Sequence, residues 1–314
     1  MGRAVPVSDT FFTASPHWEW YIILYLFIGG IAGGCFLLAA LLQVFGRPED
    51  RPVARLGYYA ALAGAGASGL VLSLDLTRPE RFWHMLLQSH SGLPMFKAWS
   101  PMSVGVWGLL GFGGFAFLAT LAVLEEEGLS WSVLRRGPVR WLARTGPATA
   151  IAALGSLFGL FLAGYTGVLL AVTNRPIWAD SSFVGLLFLL SAGSTAAACL
   201  MLLATWRRRG DIETLETLAR FDRRMLLFEL IALALFVGSL GPVVQVLAGW
   251  WGALLLMGVV GVGIVLPLAL EHRGGGPARL ARASALVLAG GLLLRTVVIL
   301  SSNAIHVTGT SVVQ

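Results

Sequence analysis

The chain has 314 residues, 57% of them hydrophobic and only 12% charged, with a mean hydropathy of +0.80. A soluble domain carries roughly twice that charged share, so the composition excludes one and reads as a polytopic membrane protein. The net charge of +6 rests on arginine, Lys97 being the single lysine, and records topology in a membrane rather than a nucleic-acid partner.

Eight apolar runs are long enough to cross a bilayer, at about 20 residues each. They fall at 18–45, 55–76, 100–124, 147–173, 182–206, 225–248, 251–271 and 283–302. They predict an all-α integral membrane protein with eight transmembrane helices. The first run is too long for a signal-peptide core, has no basic flank and reaches Gln43-Val44-Phe45 without a small-residue cleavage site. It is therefore expected to stay as a signal anchor. Its stretch Gly29-Gly30-Ile31-Ala32-Gly33-Gly34 repeats glycine at i and i+4, which admits a neighbouring backbone. Similar small faces occur at Gly64-Ala65-Gly66 and Gly155/Gly159. Cys35 and Cys199 lie inside apolar runs, away from any metal-ligand spacing, and read as packing thiols.

Lysine and arginine counts in alternate loops orient the chain. One side holds five: Arg3, Arg78, Arg81, Lys97 and Arg175. The other holds sixteen: Arg47, Arg51, Arg55, Arg135, Arg136, Arg140, Arg144, Arg207, Arg208, Arg209, Arg220, Arg223, Arg224, Arg273, Arg279 and Arg282. The positive-inside rule places the sixteen in the cytoplasm and both termini outside. The cytoplasmic loops 125–146 and 207–224 carry both signs of charge and are expected to be solvated connectors. The outer loop 77–99, long and aromatic with His84, His90, Pro94 and Trp99, is expected to lie on the membrane or beneath a partner.

Two outer endings share a grammar, Asp75–Trp83 (DLTRPERFW) after the second run and Tyr165–Ser182 (YTGVLLAVTNRPIWADSS) closing the fourth. Each has an Arg-Pro that stops the helix, a cation that can take a phosphate or carboxylate, and an interfacial aromatic. Ionisable residues inside spans are functional candidates, since each is costly unless paired. Three stand out: Asp75 at the outer end of span two, Glu229 near the cytoplasmic end of span six, and Arg295 well inside span eight. Arg295 keeps its charge, so a carboxylate or an anionic ligand is expected beside it. Tyr25 and Tyr165 lie at matching depth, roughly 7–9 Å from the outer ends of their spans. With Asp75 and Arg295 in the same outer half, they outline an apolar pocket with a few polar groups, suited to the head group of a lipid-soluble ligand. The plainer readings are an interfacial helix end for Asp75, structural partners for Glu229 and Arg295, and a belt aromatic for Tyr25.

The five histidines, His17, His84, His90, His272 and His306, lie at or beyond span ends. The spans therefore lack the axial pair a haem b needs, and lack the mid-membrane histidine of a serine protease. Neither a Walker A motif nor a dinucleotide fingerprint is present. No haem and no metal are expected in this chain.

The opening Trp18-x-Trp20 with Gly30-x-Ala32-Gly33-Gly34, the DLTRPERFW and YTGVLLAVTNRPIW endings and Leu294-Arg295 resemble the NrfD/polysulfide-reductase membrane-subunit family. The resemblance is strong over spans one to four; beyond them it rests on the number of spans and on Arg295. Ile22 and Tyr25 stand where some members carry His or Asn. The resemblance implies a haem-free, quinone-binding anchor in a bacterial cytoplasmic (inner) membrane. Two four-helix bundles, 18–173 and 182–302, would lie between extracytoplasmic tails 1–17 and 303–314. The implied cofactor is a non-covalent menaquinone or ubiquinone. The implied partners are an extracytoplasmic four-cluster iron–sulfur protein and, through it, a molybdopterin catalytic subunit or a multihaem cytochrome. Tyr25 and Tyr165 would hydrogen-bond the quinone oxygens, with Asn174 and Arg78 as further cofactor-binding candidates. Asp75 would accept a proton, and Arg295 would hold Asp75 ionised or stabilise a quinol anion. Glu229 would begin a proton path from the cytoplasm or serve as a paired structural acid. The residues alone leave three other readings open: a secondary transporter, a proton-translocating protein without quinone chemistry, and a purely structural anchor.

Overall fold

The computed structural model describes Trp18 and residues 20–76, 78–128, 138–272 and 276–308. The tail 1–17 with Arg3 and His17, the arginines Arg135, Arg136 and Arg273, the side chain of His306 and residues 309–314 lie outside the described residues. Eight long helices carry the fold: α1 (Trp20–Phe45), α2 (Arg51–Leu74), α3 (Pro101–Glu126), α4 (Thr145–Ala171), α5 (Val184–Arg207), α6 (Ile212–Ser239), α7 (Trp250–His272) and α8 (Pro277–Thr308). An isolated bridge between Leu87 and Pro94 is the one β feature among the described residues, so the protein is all-α.

Seven of these helices are long and apolar enough to cross a membrane by themselves. The eighth crossing needs α6 together with the 3-10 helix Gly241–Ala248, which leaves it at 110°. The apolar run predicts this span over 225–248, but the helix starts at Ile212, where the Asp211 side chain caps it by accepting from the Thr214 N–H at 2.9 Å. It stops at Ser239 because Gly241, at φ +55°, and Pro242 turn the chain, one free to adopt that angle and the other unable to donate to the turn before it. The stretch 207–224, expected to be a solvated connector, is therefore helical from Ile212 onward, and it buries Asp222 completely.

Helix α1 packs on α2 and α4, and also on α5 and α8, while α3 closes against α2 and α4. Helix α5 packs on α6 and α8, and α8 on α7. The glycine run of α1 makes this central position possible. A Cβ on Gly33 would stand 2.4 Å from the Gly159 carbonyl oxygen of α4, and one on Gly34 would stand 2.5 Å from the Ala196 Cβ of α5. Both faces of one helix thus touch neighbouring backbones, as small-residue packing in lipid requires. The largest buried cluster draws Tyr25 and Leu26 from α1, Leu170 from α4, Phe188 from α5, Phe236 from α6, Val259 from α7 and Leu294 from α8. The core is therefore continuous between 18–173 and 182–302.

The arginine-rich loops meet at one end of the helices. Arg47 pairs with Asp50 at 3.2 Å, Asp211 at 3.4 Å and Glu213, while Arg51 and Arg55 reach Glu126 at 3.3 and 3.1 Å. Arg209 reaches Glu127 at 3.1 Å. Asp75, the loop 78–100 and the turn 172–183 occupy the opposite end.

Candidate functional site

Each of the first four helices places one residue in a polar cluster within the apolar interior. Tyr25 of α1 and Tyr165 of α4 are buried, and a Cβ on Gly29 would stand 3.9 Å from the Tyr25 ring and 4.0 Å from Leu162, one turn before Tyr165. Gly29, one turn from Tyr25, brings α1 to within 3.5 Å of the Ser68 hydroxyl of α2, measured from the Cβ a larger residue would carry. That hydroxyl is fully buried and has no hydrogen-bond partner. Gly105 of α3 admits the Tyr165 ring, since a Cβ there would fall 2.3 Å from the phenol oxygen. The Tyr165 hydroxyl donates to the Pro101 carbonyl at 2.5 Å, and its ring stacks on Phe161 at 5.3 Å.

Outside this cluster, α2 and α3 enclose a groove of about 430 Å³. Its walls include Ala65, Gly69, Leu72, Val106 and Leu109, and Phe82 and Met85 of the 3-10 helix Pro79–Met85 roof it. Leu72 and Leu109 also pack against the buried cluster that contains Tyr25. Ser68 and Gly105 are flanked in sequence by the groove residues Gly69 and Val106, so the polar cluster lies behind an apolar channel open to the side. A long apolar molecule with one polar end has complementary chemistry.

At the end opposite the arginine-rich loops the predicted residues separate. Asp75 is exposed where α2 closes, its backbone N–H donating to Val71, and partial burial raises its carboxyl above the usual carboxylate range. The expected pairing of Asp75 with Arg295 is not formed, because the guanidinium is engaged deep between α1, α5 and α8. Arg78 is exposed just before the roofing 3-10 helix. Asn174 is exposed too, whereas its neighbour Arg175 is buried and donates to Asn303 of α8 at 2.7 Å. Trp178 follows Arg175 inward. Its indole N–H donates to the Val298 carbonyl at 2.9 Å, its ring lies 5.7 Å from the guanidinium, and Trp18 stacks on it at 5.5 Å. Ile177 between them takes φ +71°, a costly angle for a β-branched residue, and its N–H is held by Asp180 at 2.9 Å. This ending is a plug against α8, and it buries Arg175 and Ser181 while Asn174 stays exposed.

A second polar string runs through α5, α6 and α8. The fully buried Arg295 donates to the Leu26 carbonyl at 3.3 Å, the Ser191 hydroxyl at 3.2 Å and the Gly291 carbonyl at 2.8 Å. Its guanidinium lies 5.5 Å from the Phe27 ring and 5.1 Å from the Phe188 ring, and Nη2 has no hydrogen-bond partner. One turn along α5, Ser194 donates to Glu229 at 2.9 Å. The two serines therefore link Glu229 to Arg295, which sequence depth placed toward opposite faces. Leu26 is the residue after Tyr25, so this string begins at the backbone beside the tyrosine cluster.

Three buried acids went unnoticed in the sequence, Asp50 just before α2, Asp222 of α6 and Glu271 at the end of α7. Asp222 precedes Glu229 by seven residues, two helical turns on one face, and that spacing in LARFDRRMLLFEL was the available signal. Among the described residues no three His, Cys, Asp or Glu side chains are grouped to hold a metal ion.

The chain matches the family described as polysulphide reductase, NrfD, over residues 9–306. It is 29% identical to Protein NrfD of Escherichia coli (strain K12), over 92% of this chain and 95% of that protein. It is 27% identical to one chain of the polysulfide reductase of Wolinella succinogenes, over 81% of this chain and 82% of that protein. A shorter stretch, 24% of this chain and 18% of that protein, is 32% identical to one subunit of the selenate reductase of Mesobacillus selenatarsenatis.

Proposed function

The chain belongs to the NrfD polysulphide reductase family, and on that premise we propose that it is the quinone-binding membrane subunit of an oxidoreductase complex. Relatives named as parts of polysulfide and selenate reductases support a multi-pass membrane subunit of such a complex. The observation that carries the quinone reading is the Tyr25–Ser68–Gly105–Tyr165 cluster behind the apolar groove between α2 and α3.

The residues fit a quinone in size and chemistry. The groove offers an isoprenoid tail apolar walls, and the buried Ser68 hydroxyl, without a protein partner, is free to bond a ring oxygen. Tyr165 already gives its proton to Pro101, so its oxygen is disposed to accept from a quinol hydroxyl. When bound, a quinone or quinol takes up or gives out two electrons with two protons. Asp75, beside the groove residues Ser73 and Leu76, is placed to exchange a proton with the outer face, and its raised carboxyl suits that task. Menaquinone and ubiquinone both fit this chemistry.

In this reading the electrons pass to an extracytoplasmic four-cluster iron–sulfur protein over the loop 78–100 and the turn 172–183. A molybdopterin subunit or a multihaem cytochrome lies beyond it. The chain sits in a bacterial inner membrane with both termini outside. The exposed Phe82, Trp83, Phe96 and Trp99 give the outer face a broad apolar surface for such a partner. The test is reduction of the partner's clusters by decylubiquinol or menadiol in the intact complex. Rapid reduction that an apolar quinone analogue blocks supports the proposal; cluster reduction that ignores both quinols overturns it.

A further inference from the structure

Two basic clefts open at the arginine-rich end, and they differ in how their charge is met. The first, about 770 Å³, is lined by Arg55, Arg208, Arg209, Glu126 and Glu127. Its cations are largely neutralised within the protein: Arg55 reaches Glu126 at 3.1 Å and Glu127 at 3.7 Å, and Arg209 reaches Glu127 at 3.1 Å. The second, about 640 Å³, lies between α6 and α7 and is lined by Arg220, Arg223, Arg224, Leu227, Leu268 and His272. None of its three arginines forms an ion pair among the described residues. Arg220 donates to the Thr217 hydroxyl at 3.0 Å and Arg223 to the Glu271 backbone carbonyl at 3.5 Å, both neutral acceptors. The Asp222 and Glu271 side chains are buried behind the cleft and are not part of its lining. Three guanidinium groups thus share one opening that has no carboxylate in its wall.

The register of α6 joins this charge to an apolar surface. Arg220, Arg223, Arg224 and Leu227 follow at helical spacing on one stripe, and Leu230, Leu233, Ala234 and Val237 continue it. Those last four line an apolar groove of about 630 Å³ between α6, the 3-10 helix Gly241–Ala248 and α7, in which Gln245 is the single polar side chain. From Arg224 to Ala234 the stripe runs about 15 Å, the depth of one leaflet of a bilayer whose apolar core is about 30 Å thick. Leu227, Phe228, Ile231 and Leu266 are exposed beside it. The change from charge to hydrocarbon therefore falls just past Arg224 on α6 and just before His272 on α7.

We propose that this face of α6 and α7 binds one anionic phospholipid, its phosphate in the basic cleft and an acyl chain along the groove. Each guanidinium offers a phosphate paired N–H donors, and His272 adds a further donor. A zwitterionic headgroup would bring an ammonium into the same cluster of cations, whereas a glycerol headgroup brings only hydroxyls. A soluble anion would meet the arginines and leave the groove beneath them uncovered; a lipid covers both. The site is separate from the groove between α2 and α3 and does not depend on the quinone reading.

The test titrates the intact complex, purified in detergent, with dioleoyl phosphatidylglycerol and counts bound lipid by native mass spectrometry. Phosphatidylglycerol should bind at least about tenfold more tightly than phosphatidylethanolamine with the same chains. Replacing Arg220, Arg223 and Arg224 together by Gln should lower that affinity by about tenfold or more, and Arg224→Gln alone, at an exposed position, by about threefold or more. Ala234→Phe, which fills the groove, should also weaken binding, while Arg209→Gln in the neutralised cleft should not. Inorganic phosphate should not displace the lipid. Equal binding of the two lipids by the wild type overturns the proposal whether or not the variants assemble. So does an affinity unchanged in the triple variant or in Ala234→Phe, or an equal loss in Arg209→Gln, which would mark bulk charge. Displacement by inorganic phosphate would make the cleft a soluble-anion site and overturn it equally.

Discussion

The Tyr165 hydroxyl donates to the Pro101 carbonyl and so fastens α4 to the first turn of α3, at the point where Gly105 leaves room for its ring. Tyr165→Phe keeps the ring and its volume and loses this hydrogen bond, at a cost of about 0.5–1.5 kcal/mol. Assembly should survive, and quinol-dependent reduction of the partner should fall by about threefold to a hundredfold. Gly105→Ala should be worse, because a methyl group 2.3 Å from the phenol oxygen displaces the whole ring. Leu157→Ala, on a lipid-exposed position of the same helix, is the control. Turnover of Tyr165→Phe equal to that control would return the tyrosine to a packing role.

The glycines of α1 give a sharper stability test. Gly33→Ala puts a methyl carbon 2.4 Å from the Gly159 carbonyl oxygen, and Gly34→Ala puts one 2.5 Å from the Ala196 Cβ and 2.8 Å from the Ala192 carbonyl oxygen. Neither neighbour is a flexible side-chain end, so α1 must move away from α4 or α5. Both variants should lower the melting temperature of the purified complex, by overpacking worth about 1–3 kcal/mol or more. Gly66→Ala and Gly113→Ala have open space at the same atom and should melt like the wild type.

Asp211 provides a pH test at the arginine-rich end. Hydrogen bonds from the Thr214 hydroxyl and backbone N–H, with Arg47 nearby, hold its carboxyl below the usual carboxylate range. The charged form is therefore favoured by folding. Its stabilisation is full above the unfolded-state value and is lost as pH falls through the lower folded-state value. Amide protection in the first turn of α6, taken relative to the intrinsic exchange rate at each pH, should fall on acidification in the wild type. In Asp211→Ala it should already be low at neutral pH, and Asp211→Asn should stay intermediate, keeping a cap without the charge. Protection indifferent to both pH and substitution would remove the cap from the account.

Hydropathy made most of the fold legible, because lipid allows a chain like this few alternatives to helices. Span six was misplaced for a local reason. Its apolar stretch continues through Gly241-Pro242, whereas a helix cannot, and residues 212–224 fold as helix because Leu215, Leu218 and Ala219 bury one side of it against α5, with Val53 of α2 and Leu280 of α8 in the same cluster. The same error hid Asp222, which looked like loop charge. Tyr25 and Tyr165 could be set at one level because depth along a helix can be counted from sequence. The bridge from Glu229 to Arg295 was not readable, since it depends on two serines of a third helix whose rotation about its axis only packing sets. Asn174 and Arg175 show the same limit: adjacent in sequence, one faces out and the other in.

That bridge carries the last prediction. Arg295 is fully buried, and its hydrogen bonds go to neutral groups; Glu229, reached through Ser191 and Ser194, is the carboxyl that balances it. Glu229→Gln leaves a buried cation without its counterion, and Arg295→Gln leaves a buried acid without its cation. Each should destabilise the complex by about 3–5 kcal/mol, the cost of breaking a buried pair from one side. The double variant removes both charges and should cost less than the sum, with a coupling of about 0.5–3 kcal/mol. Ser194→Ala should reduce that coupling, because it removes the hydroxyl that connects Glu229 to α5. Thermal melting of all four combinations in the purified complex gives the cycle. Strict additivity would show that the two residues do not sense each other, and would separate Glu229 from Arg295 as independent groups.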